Sequence, residues 1–211
     1  MKGLILNNLY SVREGLNLSL LLAIVATTLL MSTENSTALK LSFYLPMALI
    51  AVNAFEVLKQ DNLSGWDKFE FTLPLRRQKV VQSKYLTFLL LLLVSVAVTI
   101  GIFVVSSSFV TFSEGLMFIS ILRGIGFVLC LASIIYPLTY ILGGDKSELI
   151  RIIGMIFSFV VFGIVYFLQR MAVGEVEGFD KFFSINFVLV SFFLFIVSYF
   201  ISIRTYKRKE F

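Results

Sequence analysis

The side chains best suited to chemistry are gathered in one polar segment, residues 61–85. Its three acids and five bases are Asp61, Asp67, Glu70, Lys68, Arg76, Arg77, Lys79 and Lys84. The rings of Trp66, Phe69 and Phe71 lie among these charges. Aromatic and arginine side chains carry much of the binding energy at protein interfaces. The segment therefore favours binding of a partner; the alternative is a solvated loop whose rings rest on lipid headgroups.

Residue types that bond-making sites use are scarce in this chain. It has no histidine and one cysteine, Cys130, which removes histidine triads and leaves too few ligands for a zinc site. A GxxxxGK[ST] motif is absent, so no loop would cradle ATP phosphates. Residues 143–147 (GGDKS) lack that spacing. We expect no cofactor to be bound by this chain.

The composition indicates a protein whose solvent is lipid. The chain has 211 residues, of which 58% are hydrophobic and only 15% are charged, whereas a soluble domain carries about 25% charged residues. A single soluble core could not hide this much apolar surface. With three prolines and no low-complexity linker, residues 1–211 are predicted to form a single transmembrane domain.

Six apolar segments are long enough to cross a bilayer as helices, which needs about 20 residues. They lie at residues 16–31, 41–58, 85–105, 124–142, 152–168 and 185–203. The fourth begins earlier, near Leu116, if Arg123 lies within the bilayer. The predicted fold is an all-α polytopic membrane protein.

The distribution of Lys and Arg predicts the orientation of these spans. With the N-terminus inside, 14 of the 18 bases lie in cytoplasmic segments, while Lys40, Arg170 and Lys181 lie outside and Arg123 is ambiguous. Because cytoplasmic loops are enriched in Lys and Arg, both termini are expected in the cytoplasm. The basic tail after residue 203 is expected to anchor on anionic lipid. No nucleic-acid partner is expected.

The N-terminal residues 1–15 are predicted to form an interfacial helix. Ile5, Leu9, Val12 and Leu16 share one helical face, opposite Asn7, Arg13 and Glu14, as in helices that lie along a membrane surface. The alternative is a simple continuation of the first span.

A second short helix is predicted at the end of the polar segment. Pro74 suits a first helical turn and Thr72 could cap it. The following residues 75–86 set bases against an apolar side and run directly into the third span at Tyr85.

Two motifs in this chain resemble those of a known family. Residues 66–69 (WDKF), 72–81 (TLPLRRQKVV) and 83–86 (SKYL) resemble the sLPvsRkeiVxsKYl signature of permease subunits of the ABC type-2 class. Residues 137–146 (PLTYILGGDK) resemble the PLxYxxGxxK element that closes the fourth span in that class. Leu75 and Gln78 are mild departures from the first signature.

The resemblance implies that the cytoplasmic loop, residues 59–84, is a coupling loop. Residues 65–84 would form the helix that docks on a separate ATPase subunit, which binds ATP and magnesium. The residues expected to couple to it are Trp66, Asp67, Phe69, Pro74, Arg76, Arg77 and Lys79. The implied partners also include a second permease, either a copy or a paralogue, in a bacterial plasma membrane. The short six-span form is similar to exporters of phenol-soluble modulins and other amphipathic peptides, and to lantibiotic-immunity permeases.

Two further charged residues are candidates for the translocation path. Arg123 either snorkels at the outer face or faces a cavity where it would meet an acidic group of the substrate. Glu56 either contributes to the path or pairs with Lys59 or a base of the coupling loop.

Two other classes of function are alternatives. An ion-driven carrier or channel usually places ionisable groups at mid-membrane, and here the spans hold only Arg123 and Glu56. An intramembrane enzyme would need catalytic pairs at depth, and the spans contain no histidine, paired carboxylates or Ser–Lys pair.

Overall fold

The computed structural model describes residues 2–33, 36–72, 76–106, 114–174 and 178–208, and every regular element within them is a helix. The α-helices are α1 (Lys2–Ser11), α2 (Arg13–Met31), α3 (Ser36–Leu63), α4 (Trp66–Thr72), α5 (Arg77–Ser106), α6 (Glu114–Leu142), α7 (Ser147–Val173) and α8 (Phe179–Arg208). A 3₁₀ turn at Gly144–Lys146 joins α6 to α7.

The prediction of an all-α protein with six spans is confirmed. Helices α2, α3, α5, α6, α7 and α8 are each long and apolar enough to cross a membrane. The described part of the fourth span is Met117–Leu142, so its helix begins before residue 124, in line with the alternative start near Leu116. Arg123 lies within this helix, and its depth in the bilayer stays a prediction.

Several helices continue well beyond the apolar segments read from the sequence. Helices α5 and α8 have 30 residues each, about 45 Å at 1.5 Å per residue, while the hydrocarbon layer is about 30 Å thick. The first turns of α5 and the last turns of α8 are charged. The same helices that form the spans therefore carry the polar residues at their ends.

The most extensively packed helices are α6 and α8, which run parallel to each other. Gly126 of α6 makes room for the Phe187 ring, since a Cβ there would lie 2.5 Å from Phe187 Cδ1. Buried serines recur every seven residues on α8, at positions 184, 191 and 198, a spacing that keeps one face toward a neighbouring helix. The pair is close-packed along much of its length.

Aromatic stacking connects α5 to this pair. Tyr136 of α6 is fully buried, and its ring stacks on that of Tyr85 with centroids 4.4 Å apart. The Tyr85 hydroxyl is 2.8 Å from the hydroxyls of both Ser198 and Ser202 on α8. The start of the third span is thus fixed to α6 and α8.

Helix α7 packs on α6 through small residues. A Cβ on Gly154 would lie 3.0 Å from Ile135 Cγ1, and the Ser158 hydroxyl donates to the Gly154 carbonyl. This face, which suits close helix packing, is occupied within the chain.

Helices α3 and α6 each contain an interior proline, Pro46 and Pro137. Proline has no backbone N–H, so each helix lacks one backbone hydrogen bond to the residue four positions earlier. Those residues are Ser42 and Ser133.

Candidate functional site

The polar segment between the second and third spans contains two helices. Gly65 has φ +70°, a conformation that glycine adopts without strain, and it separates the end of α3 from α4. Helix α4, Trp66–Thr72, was not predicted as a helix of its own. Thr72 is its last residue and donates its hydroxyl to the Phe69 carbonyl.

The predicted continuity into the third span is confirmed, because α5 runs unbroken from Arg77 through Tyr85 to Ser106. The predicted helix start at residues 73–74, including Pro74, lies outside the described residues. The role of Pro74 therefore stays a prediction.

The first turn of α5 has the predicted two-sided character. Arg76, Arg77 and Lys79 are exposed, and we call these three residues the basic turn. Val80 and Val81 on the other side are buried. The basic turn is therefore accessible to a partner while its helix remains fixed to the bundle.

Helix α4 presents one aromatic ring outward and turns another inward. Phe69 is 51% exposed, whereas Trp66 is half-buried, with its ring centroid 5.2 Å from that of Phe69. The Trp66 indole nitrogen donates to Glu70 Oε1 over 2.9 Å. Asp67, also half-buried, lines a small cavity with Glu70. The exposed face of α4 therefore includes Phe69, and its buried face holds an acid.

The end of α8 lies beside the basic turn. Arg77 donates from a guanidinium nitrogen to the Lys207 carbonyl over 2.8 Å. Lys207 and Arg208 are exposed as well. The described part of the basic tail, residues 204–208, thus continues the surface formed by the basic turn, and its predicted role as a lipid anchor stays a prediction.

Beneath this surface lies a buried charged cluster, the Lys84 cluster, composed of Asn8, Asp61, Glu70 and Lys84. The Lys84 side chain is 3% exposed. Its ammonium donates to Asp61 Oδ2 and, over 2.8 Å, to Asn8 Oδ1, and it lies 3.7 Å from Glu70 Oε1. The cluster joins four elements, because its members come from α1, α3, α4 and α5.

The charges of the Lys84 cluster are not balanced one to one. Two carboxyl groups share a single ammonium in a place with little water. Burial raises the pKa of Glu70 above its usual range, and the Lys84 charge opposes that rise only in part. A cavity of about 40 Å³ borders Asp61, Glu70 and Lys84, and its other walls include residues of α6 and α8.

Sequence reasoning missed the Lys84 cluster because it treated Lys84 as one more solvated base. A signal was available: Lys84 is four residues after Val80, on the apolar side of the helix rather than the basic one. Its partners are 76 and 23 residues away in sequence, so they could not be found from local spacing.

Comparison with protein families agrees with this geometry. Residues 3–207 match the family described as ABC-2 family transporter protein. The chain belongs to this family. No significant match was found among curated proteins or solved structures. The chain is therefore a multi-pass membrane component of an ABC transporter, and membership implies an ABC ATPase as its partner.

Glu56 of this ABC-2 protein is paired, but not with the predicted partner. Its carboxylate accepts from Arg151 on α7. Lys59, which was expected to be a possible partner, lies 2.9 Å from Glu148 on α7 instead. The prediction failed because Arg151 is distant in sequence and approaches only in the folded bundle. These two ion pairs bridge α3 and α7.

Arg123 is held at the opposite end of the α6–α8 pair. It pairs with the Asp180 carboxylate, its Nε donates to Ser184 Oγ over 3.0 Å, and its guanidinium lies 5.1 Å from the Phe183 ring centroid. These three partners are on α8, and Tyr44 on α3 is a further partner. Arg123 thus ties α6 to α8, and its use in a translocation path stays a prediction.

Helix α1 is separate from α2, as expected of an N-terminal helix before the first span. Its buried residues are Leu4 and Asn8, and Val12 follows them on the same face. This face is rotated from the predicted one, because polar Asn8 is buried by its bonds to Lys84 and Thr87. The position of α1 along a membrane surface stays a prediction.

Proposed function

We propose that this chain is the permease subunit of an ATP-driven exporter and that α4 and the basic turn dock on a separate ATPase subunit. The observation that carries the proposal is the pairing of an exposed basic and aromatic surface with the buried Lys84 cluster beneath it. A docking element must be accessible to its partner and firmly joined to the spans. Helix α4 and residues 76–85 meet both requirements.

The docking surface extends over three elements. The exposed residues are Phe69 on α4, Arg76 just before α5, Lys79 on α5 and Lys207 on α8. An exposed apolar ring and exposed cations at the same end of the bundle fit a groove that combines an apolar floor with acidic walls. Trp66 and Asp67 support this surface from the half-buried side of α4, and ATP and magnesium would be bound by the ATPase.

The arrangement of the ends supports cytoplasmic termini. Asn8 near the N-terminus bonds to Lys84, and Lys207 near the C-terminus bonds to Arg77. Both ends of the described chain therefore gather at the same end of the bundle as α4. Since cytoplasmic segments are enriched in Lys and Arg, this end faces the cytoplasm of a bacterial cell in our proposal.

The proposed cargo is an amphipathic peptide, exported as a toxin or removed as an antimicrobial. The support is the resemblance of the six-span chain and its two motifs to such exporters. A working exporter would contain two permeases, each of which docks one ATPase.

The docking surface is tested by reversing charge in the double variant Arg76→Glu/Arg77→Glu. The tagged chain is purified from native membranes in mild detergent, and ATP hydrolysis and co-purifying subunits are measured. We expect the variant to lose the co-purified ATPase, because two repulsive charges would face the acidic groove. The matched control is Arg170→Glu/Lys181→Glu, which changes the same charge on exposed residues at the opposite end of the bundle.

Two results would contradict the proposal. One is an Arg76→Glu/Arg77→Glu variant that retains the ATPase at the level of the control. The other is an unaltered chain that purifies without any ATPase, which would favour an ATP-independent carrier or channel.

A further inference from the structure

We propose that Lys84 is a positioning residue through which the N-terminal helix α1 moves together with α4 during the ATPase cycle. This inference rests on the proposed function, in which α4 receives the movement of the ATPase. It assigns α1 to the coupling unit rather than to a passive anchor.

The hydrogen bonds of Lys84 connect α1 directly to the end of α3. An ammonium has three N–H donors. Lys84 directs one to Asp61 on α3 and one to Asn8 on α1, and the third side faces Glu70 on α4. The side chain of Lys84 on α5 therefore reaches residues of α1, α3 and α4 at once.

Both polar atoms of the Asn8 side chain take part in this connection. It is 1% exposed, its Oδ1 accepts from Lys84 and its Nδ2 donates to Thr87 Oγ1 over 3.1 Å. Both ends of the amide are thus bound to α5. Polar groups buried this deeply are expensive to leave unpaired, so α1 follows Lys84 when the start of α5 shifts.

The contacts of the Lys84 ammonium differ in length, and this difference indicates which contact changes first when α4 moves. Asp61 and Asn8 are within hydrogen-bond distance of the ammonium, whereas Glu70 Oε1 is 3.7 Å away. The Trp66 indole binds Glu70, so the carboxylate travels with α4. A displacement of α4 changes the Glu70–Lys84 separation first, and the two tight bonds pass the resulting pull to α1 and α3.

The test uses the purified permease–ATPase complex in lipid nanodiscs. Tyr10 on α1 is 68% exposed, so Tyr10→Cys in a Cys130→Ser background provides one accessible thiol. The rate of its modification by a water-soluble maleimide is compared without nucleotide and with ADP–vanadate bound. We expect the rate to change on trapping in this parent, and the change to be lost in Asn8→Ala although the ATPase still co-purifies.

Two control variants separate the Lys84 link from general packing of α1. Asn7→Ala alters the same residue type one position away, on a half-buried side chain, and should keep the nucleotide response. Thr87→Val removes the other bond of Asn8 but leaves Lys84–Asn8, and should also keep it. If Asn8→Ala does not accumulate in membranes, Asn8→Ser, whose hydroxyl is too short to reach Lys84, replaces it with the same expectation.

Three results would overturn the inference while the docking proposal stands: a nucleotide response retained in Asn8→Ala, a response lost equally in Thr87→Val, or a parent whose labelling rate ignores nucleotide. Failure of the docking proposal is recognised separately, because the parent would then purify without an ATPase.

Discussion

Two cations on spanning helices, Lys84 on α5 and Arg123 on α6, are held in opposite ways. Lys84 is 3% exposed and is bound by residues of three other elements. Arg123 is 20% exposed, and all of its described partners but one lie on α8, including the well-solvated Asp180. The exception is Tyr44 on α3. Lys84 therefore joins four different elements, whereas Arg123 mainly strengthens the contact between α6 and α8, which already pack closely.

The chemistry of the two side chains suits these roles. An ammonium is compact and strongly hydrated, so its burial is stable only when carboxylates and amides replace the lost water. A guanidinium lies against aromatic rings and keeps its hydrogen bonds at a wet boundary. Substitutions at the two positions should therefore lower the free energy of unfolding by different amounts.

The largest effect is expected for Lys84→Met. It strands the carboxylates of Asp61 and Glu70 without a counter-ion, and breaking a buried pair in this way costs about 3–5 kcal/mol of the free energy of unfolding. We expect a strong fall in the amount of folded protein extracted from membranes and in its melting temperature in detergent. Adding Asp61→Asn to Lys84→Met should restore part of that loss, and a double variant as unstable as the single would contradict the role assigned to the charge imbalance.

A smaller effect is expected for Arg123→Gln. Asp180 is 67% exposed on its side chain and is resolvated by water when the arginine is lost, so the combined loss of the ion pair and the ring contact is about 1 kcal/mol. The measurement is again the melting temperature in detergent. If Arg123→Gln lowered the melting temperature as much as Lys84→Met does, the proposed difference between the roles of Lys84 and Arg123 would be wrong.

The smallest effect is expected for Glu70→Gln, and it should depend on pH. Because burial raises the pKa of Glu70 above its ordinary value of 4.5 in the folded state, this group costs stability as pH rises through the interval between its unfolded and folded values. The wild type should therefore lose stability relative to Glu70→Gln as pH rises from below 4.5 toward neutrality. If the melting temperatures of the two proteins changed equally with pH across that interval, Glu70 would not be desolvated in the folded state.

Much of the architecture was predictable because long apolar runs leave few alternatives. The six spans, the continuous helix at residues 77–106 and the exposed basic turn all follow from local composition and periodicity. Helix α4 was missed because seven residues are too few to show a helical period, and its only local mark is Gly65 at its start.

The pairing of charges was not predictable, because it depends on contacts between distant residues. Lys84 was counted with the solvated bases, Glu56 was assigned the wrong partner, and the Asp180 partner of Arg123 was not foreseen. In each case the residue type was noticed, but the direction of its side chain is decided by how the helices pack.

The two interior prolines give α3 and α6 different mechanical properties. Pro46 lies in the first half of α3, so a bend there would move residues 47–63, with Asp61 near their end. Pro137 lies close to the end of α6, so a bend there would move only residues 138–142, among which Tyr140 packs on Tyr206 of α8. A bend of the second span at its proline would therefore displace the Lys84 cluster, whereas a bend of the fourth would leave most of its contacts with α8 unchanged.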